Sequence, residues 1–343
     1  MASQRDVKNR ISSVKNIQKI TRAMEMVAAA RLRRAEQRIV ALRPYAEALG
    51  RMTRQAARAA GPTEIARVQL LREPSGVLVG AGGVAEGARG GGAEGVGVTE
   101  GGGGSTVGLL LITGDRGLAG GFNSQVIRAG VRLHGELSAE GLRSAWYATG
   151  RRGVSSLAFR GYELSGGYTG FSDRPALADA KAVADDVIDA YVGGRLDRVE
   201  LIFNSYVSPL TQVVTRETLL PLSRATAAEE AAGGGSAGRG AGVAGAGTDP
   251  SAENGGQRAL VEYEPDPEQV LEQLLPDYIE TSIYRALVES AAGFFGAQMT
   301  AMRSASDNAG DIITDLTLQM NRARQAEITQ EIMEVVAGAE GLS

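Results

Sequence analysis

Apolar residues recur at spacings of three and four along the N-terminal stretch of this sequence, where Pro44 is the only proline between residues 1 and 60. This spacing predicts a long helix over residues 1–60 with an apolar stripe. A helix of about 55 residues is roughly 80 Å long, so it needs a partner along its whole length. The predicted stripe comprises Val7, Ile11, Val14, Ile17, Ile20, Met24, Val27, Leu32, Ala35, Ile39, Leu42, Tyr45, Leu49 and Met52.

The C-terminal stretch repeats this pattern and contains no proline after residue 276. Three glycines interrupt it, and each costs about 1 kcal/mol relative to alanine inside a helix. We therefore interpret Gly293, Gly296 and Gly310 as points of close packing against another backbone or of pliancy. The two terminal stretches together predict a long antiparallel coiled coil. The C-terminal stripe comprises Val270, Leu274, Tyr278, Leu287, Ala291, Phe294, Met302, Ala305, Ile312, Leu316, Met320, Ala323 and Ile332.

Between the helices, short β-branched runs alternate with helical stretches. We predict strands at 107–113, 144–148 and 198–206 and helices at 122–137 and 175–191, which indicates a small Rossmann-like α/β domain with a parallel or mixed sheet. Two Gly/Ala-rich tracts, 74–105 and 225–256, lack the apolar residues of a core and predict flexible insertions. The sequence thus divides into an N-terminal coiled-coil helix (1–60), a central α/β domain (61–222), a flexible insertion (223–258) and a C-terminal coiled-coil helix (259–343).

Charge is distributed unevenly along the 343 residues, whose overall formal charge is −4. Residues 1–60 hold 14 Lys and Arg against 4 Asp and Glu, a balance of +10, whereas residues 262–343 hold 4 against 15, a balance of −11. Opposite charge favours the pairing of the two ends.

Composition excludes several classes of site. Cysteine is absent and His134 is the only histidine, which removes disulfides, thiol chemistry, Ser-His-Asp triads and most metal sites. We expect no catalytic residue, cofactor or metal. No apolar run reaches eighteen residues, so we expect no membrane span. The N-terminal stretch is too polar and too basic to supply the apolar segment of a signal peptide, so we also expect no export.

The glycine-rich segment 114–123, which reads GDRGLAGGFN, follows a predicted strand and opens a predicted helix. Phosphate-binding loops occupy that position, so a nucleotide site is one alternative. The glycine spacing matches neither dinucleotide-binding nor P-loop motifs, and no lysine follows. A tight strand-to-helix turn is the favoured interpretation.

Two charged groups suggest other functions. The cluster Arg31, Arg33, Arg34 and Arg38 is compatible with a nucleic-acid arm, but no aromatic residue occurs in 1–44 to stack on bases, so we expect a carboxylate-rich protein surface instead and no nucleic acid. The pair Glu331 and Glu334 is compatible with acid/base chemistry, although a solvated helix face explains it better.

Four separated blocks resemble the ATP synthase gamma subunit family. Residues 11–31 read ISSVKNIQKITRAMEMVAAAR, with RPY at 43–45; the turn at 114–123 is the second block. The third combines FNSY at 203–206, LLPL at 219–222 and YEPDP at 263–267. The fourth joins SDN at 306–308 to NRARQAEITQEIMEVVAGA at 321–339. Only the Gly-rich tracts lie outside the resemblance.

The resemblance implies a central stalk rotor without catalytic activity of its own. It implies that the shaft enters a hexamer of alpha and beta subunits and stands on a ring of membrane c subunits beside epsilon, with delta in the same complex. One copy is present per complex, at the cytoplasmic face of the cell membrane, and its rotation couples proton flow to ATP synthesis at the beta subunits.

Individual contacts follow from the same resemblance. Arg324, Gln325 and Thr329 match residues that contact a loop of one beta subunit, and Met24, with Lys19 and Arg22 beside it, matches a position facing acidic beta loops. Tyr263 and Glu264 match contacts to epsilon and the c ring. From the residues alone, a non-rotary coiled-coil adaptor remains the alternative function.

Overall fold

The computed structural model of the chain describes residues 4–59, 70, 105–221 and 266–340. The Gly-rich tracts lie outside the described residues, apart from residue 105, and so do the inner boundaries of the predicted four-part division, which stays a prediction. In chain order the elements are α1 (Gln4–Ala59), β1 (Thr106–Ile112), α2 (Phe122–Ala139), β2 (Arg143–Thr149), α3 (Arg151–Phe159), β3 (Leu164–Tyr168), α4 (Leu177–Val192), β4 (Arg198–Ser208), β5 (Thr211–Leu220) and α5 (Pro267–Glu340).

The two terminal helices pair in antiparallel orientation to form the shaft, by which we mean α1 and α5 together. Gln18 Nε2 donates to the carbonyl of Ser306 at 3.3 Å, and Arg303 Nε donates to Glu25 Oε1 at 2.9 Å. In these pairs the residue numbers add to 324 and 328, so Gln4 lies level with residues 320–324. The remainder of α5 therefore extends about 25 Å beyond the end of α1.

The α1 residues that face α5 follow a strict seven-residue repeat. Alternating steps of four and three connect positions that are all buried or half-buried, and such a repeat imposes a left-handed supercoil. These positions are Val7, Ile11, Val14, Gln18, Thr21, Glu25, Ala28, Leu32, Ala35, Ile39, Leu42, Ala46, Leu49, Thr53 and Ala56.

The single apolar stripe predicted for α1 is wrong in one respect. Ile17, Ile20 and Val27 are more than half exposed and lie with half-buried Met24 on a second face. Polar Gln18, Thr21 and Glu25 take the inward positions at that level instead. The prediction from apolar spacings of three and four therefore assigned residues of two adjacent helix faces to one stripe.

The prediction that the oppositely charged ends of the chain lie side by side is confirmed, but ion pairs between them do not explain the pairing. The basic and acidic helices do lie side by side, yet in the ion pair Arg303–Glu25 the acid belongs to the basic helix. Lys15, Lys19 and Arg22 of α1 are exposed. Much of the opposite charge therefore faces outward, where it is available to partners.

The α/β domain is built on a mixed five-stranded sheet of order β3-β2-β1-β4-β5. β1 pairs in parallel with β2 and β4, β2 pairs in parallel with β3, and β5 pairs antiparallel to β4. The three predicted strands and two predicted helices are confirmed within one to two residues at each end. The four parallel strands follow the order of a doubly wound fold.

Helix α5 belongs to both parts of the molecule. Its lower half supplies Leu275, Ile279 and Ile283, all fully buried, to the core that α4 and strands β1 and β4 share. Higher up, a Cβ on Gly296 would lie 2.8 Å from the carbonyl oxygen of Pro209 in the β4–β5 turn. The prediction that Gly296 permits close backbone packing is thereby confirmed. Within the described residues, no helix has the length and apolarity needed to span a membrane.

Candidate interaction surfaces

The tip of α5 carries the first group of residues predicted to contact a partner. Arg324, Gln325 and Thr329 are all exposed and lie at or beyond the level at which α1 begins. The Thr329 hydroxyl donates to the carbonyl of Gln325 at 2.8 Å, so these two residues share one face. Neighbouring Ile328, Ile332 and Met333 are also exposed, by 47% to 66%. The tip thus offers the exposed side chains of Arg324 and Gln325 on a partly apolar helix.

The second predicted group lies lower on the shaft. Lys19 and Arg22 are exposed and share a basic face of α1, whereas Met24 is half-buried and belongs with the apolar face of Ile17 and Ile20. The antiparallel register places Arg22 about 30 Å below Arg324. The structure therefore separates the predicted contacts into two levels and splits the lower level between two faces.

The third predicted group, Tyr263 and Glu264, lies outside the described residues. Helix α5 begins shortly afterwards at Pro267. These two residues stay a prediction.

The first two backbone amides of the turn at 114–123 donate hydrogen bonds to side chains of this chain. The amide of Gly114 donates to Asn123 Oδ1 at 2.8 Å, and the amide of Asp115 donates to Ser172 Oγ at 2.8 Å. The side chain of Ala119, 3% exposed, lies in one apolar cluster with Leu32 of the shaft. Amides committed in this way are not available to a phosphate, which favours the structural interpretation of this turn over a nucleotide site.

The carboxylate of Asp115 lies at the N-terminus of α3, where a helix favours negative charge. It accepts hydrogen bonds from the amide of Arg151 at the start of α3, from the amides of Gly170 and Ser172, and from the Ser172 hydroxyl, at 2.8–3.1 Å. Burial alone would raise the pKa of Asp115, but these hydrogen bonds hold the pKa of the carboxyl below its ordinary value. The chain therefore fills this helix N-terminus with its own carboxylate.

Sequence reasoning missed the polar contacts between α1 and the α/β domain. Asp173 Oδ2 lies 3.3 Å from Arg31 Nη1 and 3.4 Å from Arg116 Nη1, and the Tyr206 hydroxyl donates to Glu36. These partners are separated by more than fifty residues along the chain, so no local pattern indicates them.

The other charged groups show no arrangement for chemistry in the described part of the chain. Arg33 and Arg34 are exposed, whereas Arg31 is engaged by Asp173. Glu331 is exposed on the tip of α5, and the side chain of Glu334 lies outside the described residues. Among described residues, no group of three His, Asp or Glu could hold a metal ion.

Comparisons with known proteins agree over the whole length of the chain. A family model described as ATP synthase matches residues 3–342. The ATP synthase gamma chain of Rubrobacter xylanophilus is 38% identical over 346 residues, covering 100% of this chain and 99% of that protein. The ATP synthase gamma chain of Frankia casuarinae is also 38% identical, over 348 residues, with the same coverage.

The solved structures share the fold. A chain of the mitochondrial ATP synthase of Euglena gracilis, in a complex of OSCP, F1 and c-ring, superposes with a TM-score of 0.58 at 14% identity. The superposition covers 99% of this chain and 94% of that chain. At that identity it shows similarity of fold, and the family rests on the sequence matches. This chain belongs to the ATP synthase gamma chain family.

Proposed function

We propose that the chain is the central stalk rotor of an ATP synthase, which couples ion flow through a membrane ring to ATP synthesis without catalysing it. The observation that carries this proposal is the shaft: two helices paired in antiparallel register, rising from an α/β domain, with α5 extending alone beyond α1. A shaft of this shape can turn together with the α/β domain at its base. Its tip is asymmetric about the shaft axis because only α5 reaches it.

The distribution of charge on the shaft suits a rotating contact. Exposed Lys19 and Arg22 on α1 and exposed Arg324 on α5 favour a partner surface that is rich in carboxylates. Exposed ion pairs contribute at most about 1 kcal/mol each, so they break and form again at every step without holding the rotor in place. Exposed Ile17, Ile20 and Val27 add a smooth apolar face between the charged positions.

The proposed partners follow from this assignment. Arg324, Gln325 and Thr329 contact a loop of one beta subunit, and Lys19, Arg22 and Met24 face acidic beta loops at the lower level. Tyr263 and Glu264 contact epsilon and the c ring. The chain is present once per complex with alpha, beta, delta, epsilon and c subunits, and it is peripheral to the cytoplasmic face of the cell membrane through these contacts.

Co-purification tests the assignment to the complex. A tagged copy of the chain, isolated from native membranes in mild detergent, is expected to bring down alpha and beta subunits at three copies each per copy of the chain. Quantitative mass spectrometry measures the ratio, and an untagged strain is the control. Isolation of the chain without alpha and beta subunits would contradict the proposal.

A further inference from the structure

The α/β domain makes polar contacts with two sides of α1. On one flank, Arg31 is paired with Asp173, which lies in the loop after β3. On the other flank, Glu36 accepts the hydrogen bond of Tyr206 at the end of β4. Five residues along an α-helix correspond to a rotation of about 140°, so Arg31 and Glu36 project from nearly opposite sides of α1.

The two contacts come from different places in the α/β domain. Asp173 lies in the loop after β3, whereas Tyr206 lies in β4. Because the contacts hold different flanks of α1, together they resist its rotation relative to the domain more effectively than either contact alone.

Asp115 holds the first of these contacts in position. It binds the amide and hydroxyl of Ser172, the residue immediately before Asp173, and ties them to Arg151 at the start of α3. Arg116, next to Asp115, gives Asp173 its second ion pair at 3.4 Å. Asp173 is therefore presented to the shaft from a loop with little freedom.

Helix α1 depends on these contacts more than α5 does. Leu275 and Ile279 of α5 are fully buried in the domain core, so α5 turns with the domain. In contrast, α1 meets the domain through a small apolar cluster around Leu32 and Ala35 and through the two polar contacts. The Arg31 guanidinium also lies over the ring of Phe295, 5.7 Å from its centroid, which links the contact to α5.

We propose that Asp173 and Tyr206 form a two-armed clamp that transmits torque from the α/β domain to α1, and that Asp115 is the positioning residue of the Asp173 arm. This inference rests on the rotor function proposed above. It assigns to the junction a mechanical role that is separate from the contacts with the beta subunits.

The test measures torsional fluctuation of the rotor in the assembled complex. A bead is attached through Glu163→Cys, an exposed position in a chain without cysteine, while the hexamer is immobilised and held at one angle by a non-hydrolysable nucleotide. In the variant Asp173→Ala/Tyr206→Phe, the angular variance of the bead is expected to rise by up to about two-fold, since independent restraints add. Asp115→Ala is expected to raise the variance by a smaller amount. Asp173→Glu, which keeps the carboxylate, is expected to leave the variance close to the wild-type value.

The matched control removes the same chemistry within the α/β domain. Tyr168 donates to Asp186, and Lys181 pairs with Asp185 at 3.8 Å, and neither contact involves α1. The variant Asp185→Ala/Tyr168→Phe is expected to leave the variance at the wild-type value. Equal variance in the clamp variant and this control would overturn the inference.

The conservative single variants guard against loss of folding. Asp173→Asn and Tyr206→Phe keep side-chain volume, and each alone is expected to raise the variance. If neither does so in complexes that still rotate, the clamp is wrong while the rotor stands. If wild-type complexes do not rotate, the rotor proposal fails first.

Discussion

Reversing the charge at the shaft tip, by Arg324→Glu, is expected to lower ATP turnover of the assembled complex by roughly ten-fold, a change of about 1.4 kcal/mol in activation free energy. Arg324 is exposed and has no ion-pair partner within 4 Å among the described residues, so its interactions are free for the beta subunit that we propose it contacts. An exposed ion pair contributes at most about 1 kcal/mol, and a glutamate would replace this attraction by repulsion from an acidic partner. Steady-state hydrolysis and ATP-driven ion pumping measure the effect.

The control is Arg322→Glu, which makes the same charge change two residues away. Two residues correspond to a rotation of about 200°, so Arg322 projects from the opposite side of the tip. It is also exposed, and its replacement is expected to leave turnover within about two-fold of wild type. Circular dichroism of the isolated chains is expected to show equal helicity for both variants, because glutamate is a good helix former. Equal turnover of Arg324→Glu and wild type would contradict the proposed contact.

The second large effect is expected at Gly150, where a single added methyl group is predicted to destabilise the α/β domain severely. Gly150 lies between β2 and α3 with φ of 85°, and an added Cβ would lie 2.1 Å from the carbonyl oxygen of Thr113. That atom belongs to the backbone of the central strand region and cannot move without disrupting the sheet. Gly150→Ala is therefore expected to cost more than about 4 kcal/mol of unfolding free energy, the range of exceptional substitutions.

Gly141 provides a matched control for this substitution. Its φ of 77° is similar, but nothing lies within 4 Å of the position that a Cβ would take. Gly141→Ala is expected to cost only the strain of a left-handed residue, about 1–2 kcal/mol. Trp146, the single tryptophan and 3% exposed, reports unfolding of the domain by fluorescence in urea. Similar losses of stability in the two variants would show that the contact with Thr113 is not decisive.

The long helices and the main strands could be predicted from the sequence because their signals are local. Glycine and proline are scarce at both ends, and the strands 107–113 and 198–206 are rich in β-branched and large apolar residues. By contrast, β3 was not predicted: Leu164–Tyr168 contains Gly166 and Gly167, and its pairing with β2 makes it a strand. Tertiary pairing here overrides a low intrinsic preference.

The faces of α1 could not be assigned from hydrophobicity alone. Steps of three and four connect Ile17, Ile20 and Val27 as well as the true partner-facing positions, and polar Gln18 and Thr21 occupy the latter. A strict seven-residue repeat that begins at Val7 separates the two faces, but it places polar residues between the helices. A helix face that contacts its partner through polar and small side chains cannot be distinguished from an exposed face by hydrophobicity.

The contacts at the carboxyl edge of the sheet could not be predicted from local sequence patterns for a different reason. Asp115 gathers groups from 151, 170 and 172, and Asp173 joins 31 to 116. Only the topology of the sheet brings these loops together. The glycines of the turn at 114–123 indicated a tight turn, while its acidic residue, which organises the loops, carried no signal of its own.

Direct observation of rotation tests the proposed rotor function. Complexes containing the Glu163→Cys chain are immobilised through the alpha and beta subunits, a bead is attached to the cysteine, and ATP is added while its angle is recorded. If the chain is the rotor, the bead is expected to rotate stepwise in one direction, and only when ATP is present. A complex that hydrolyses ATP while the bead fluctuates about a fixed angle would contradict it and would identify the chain as a static adaptor.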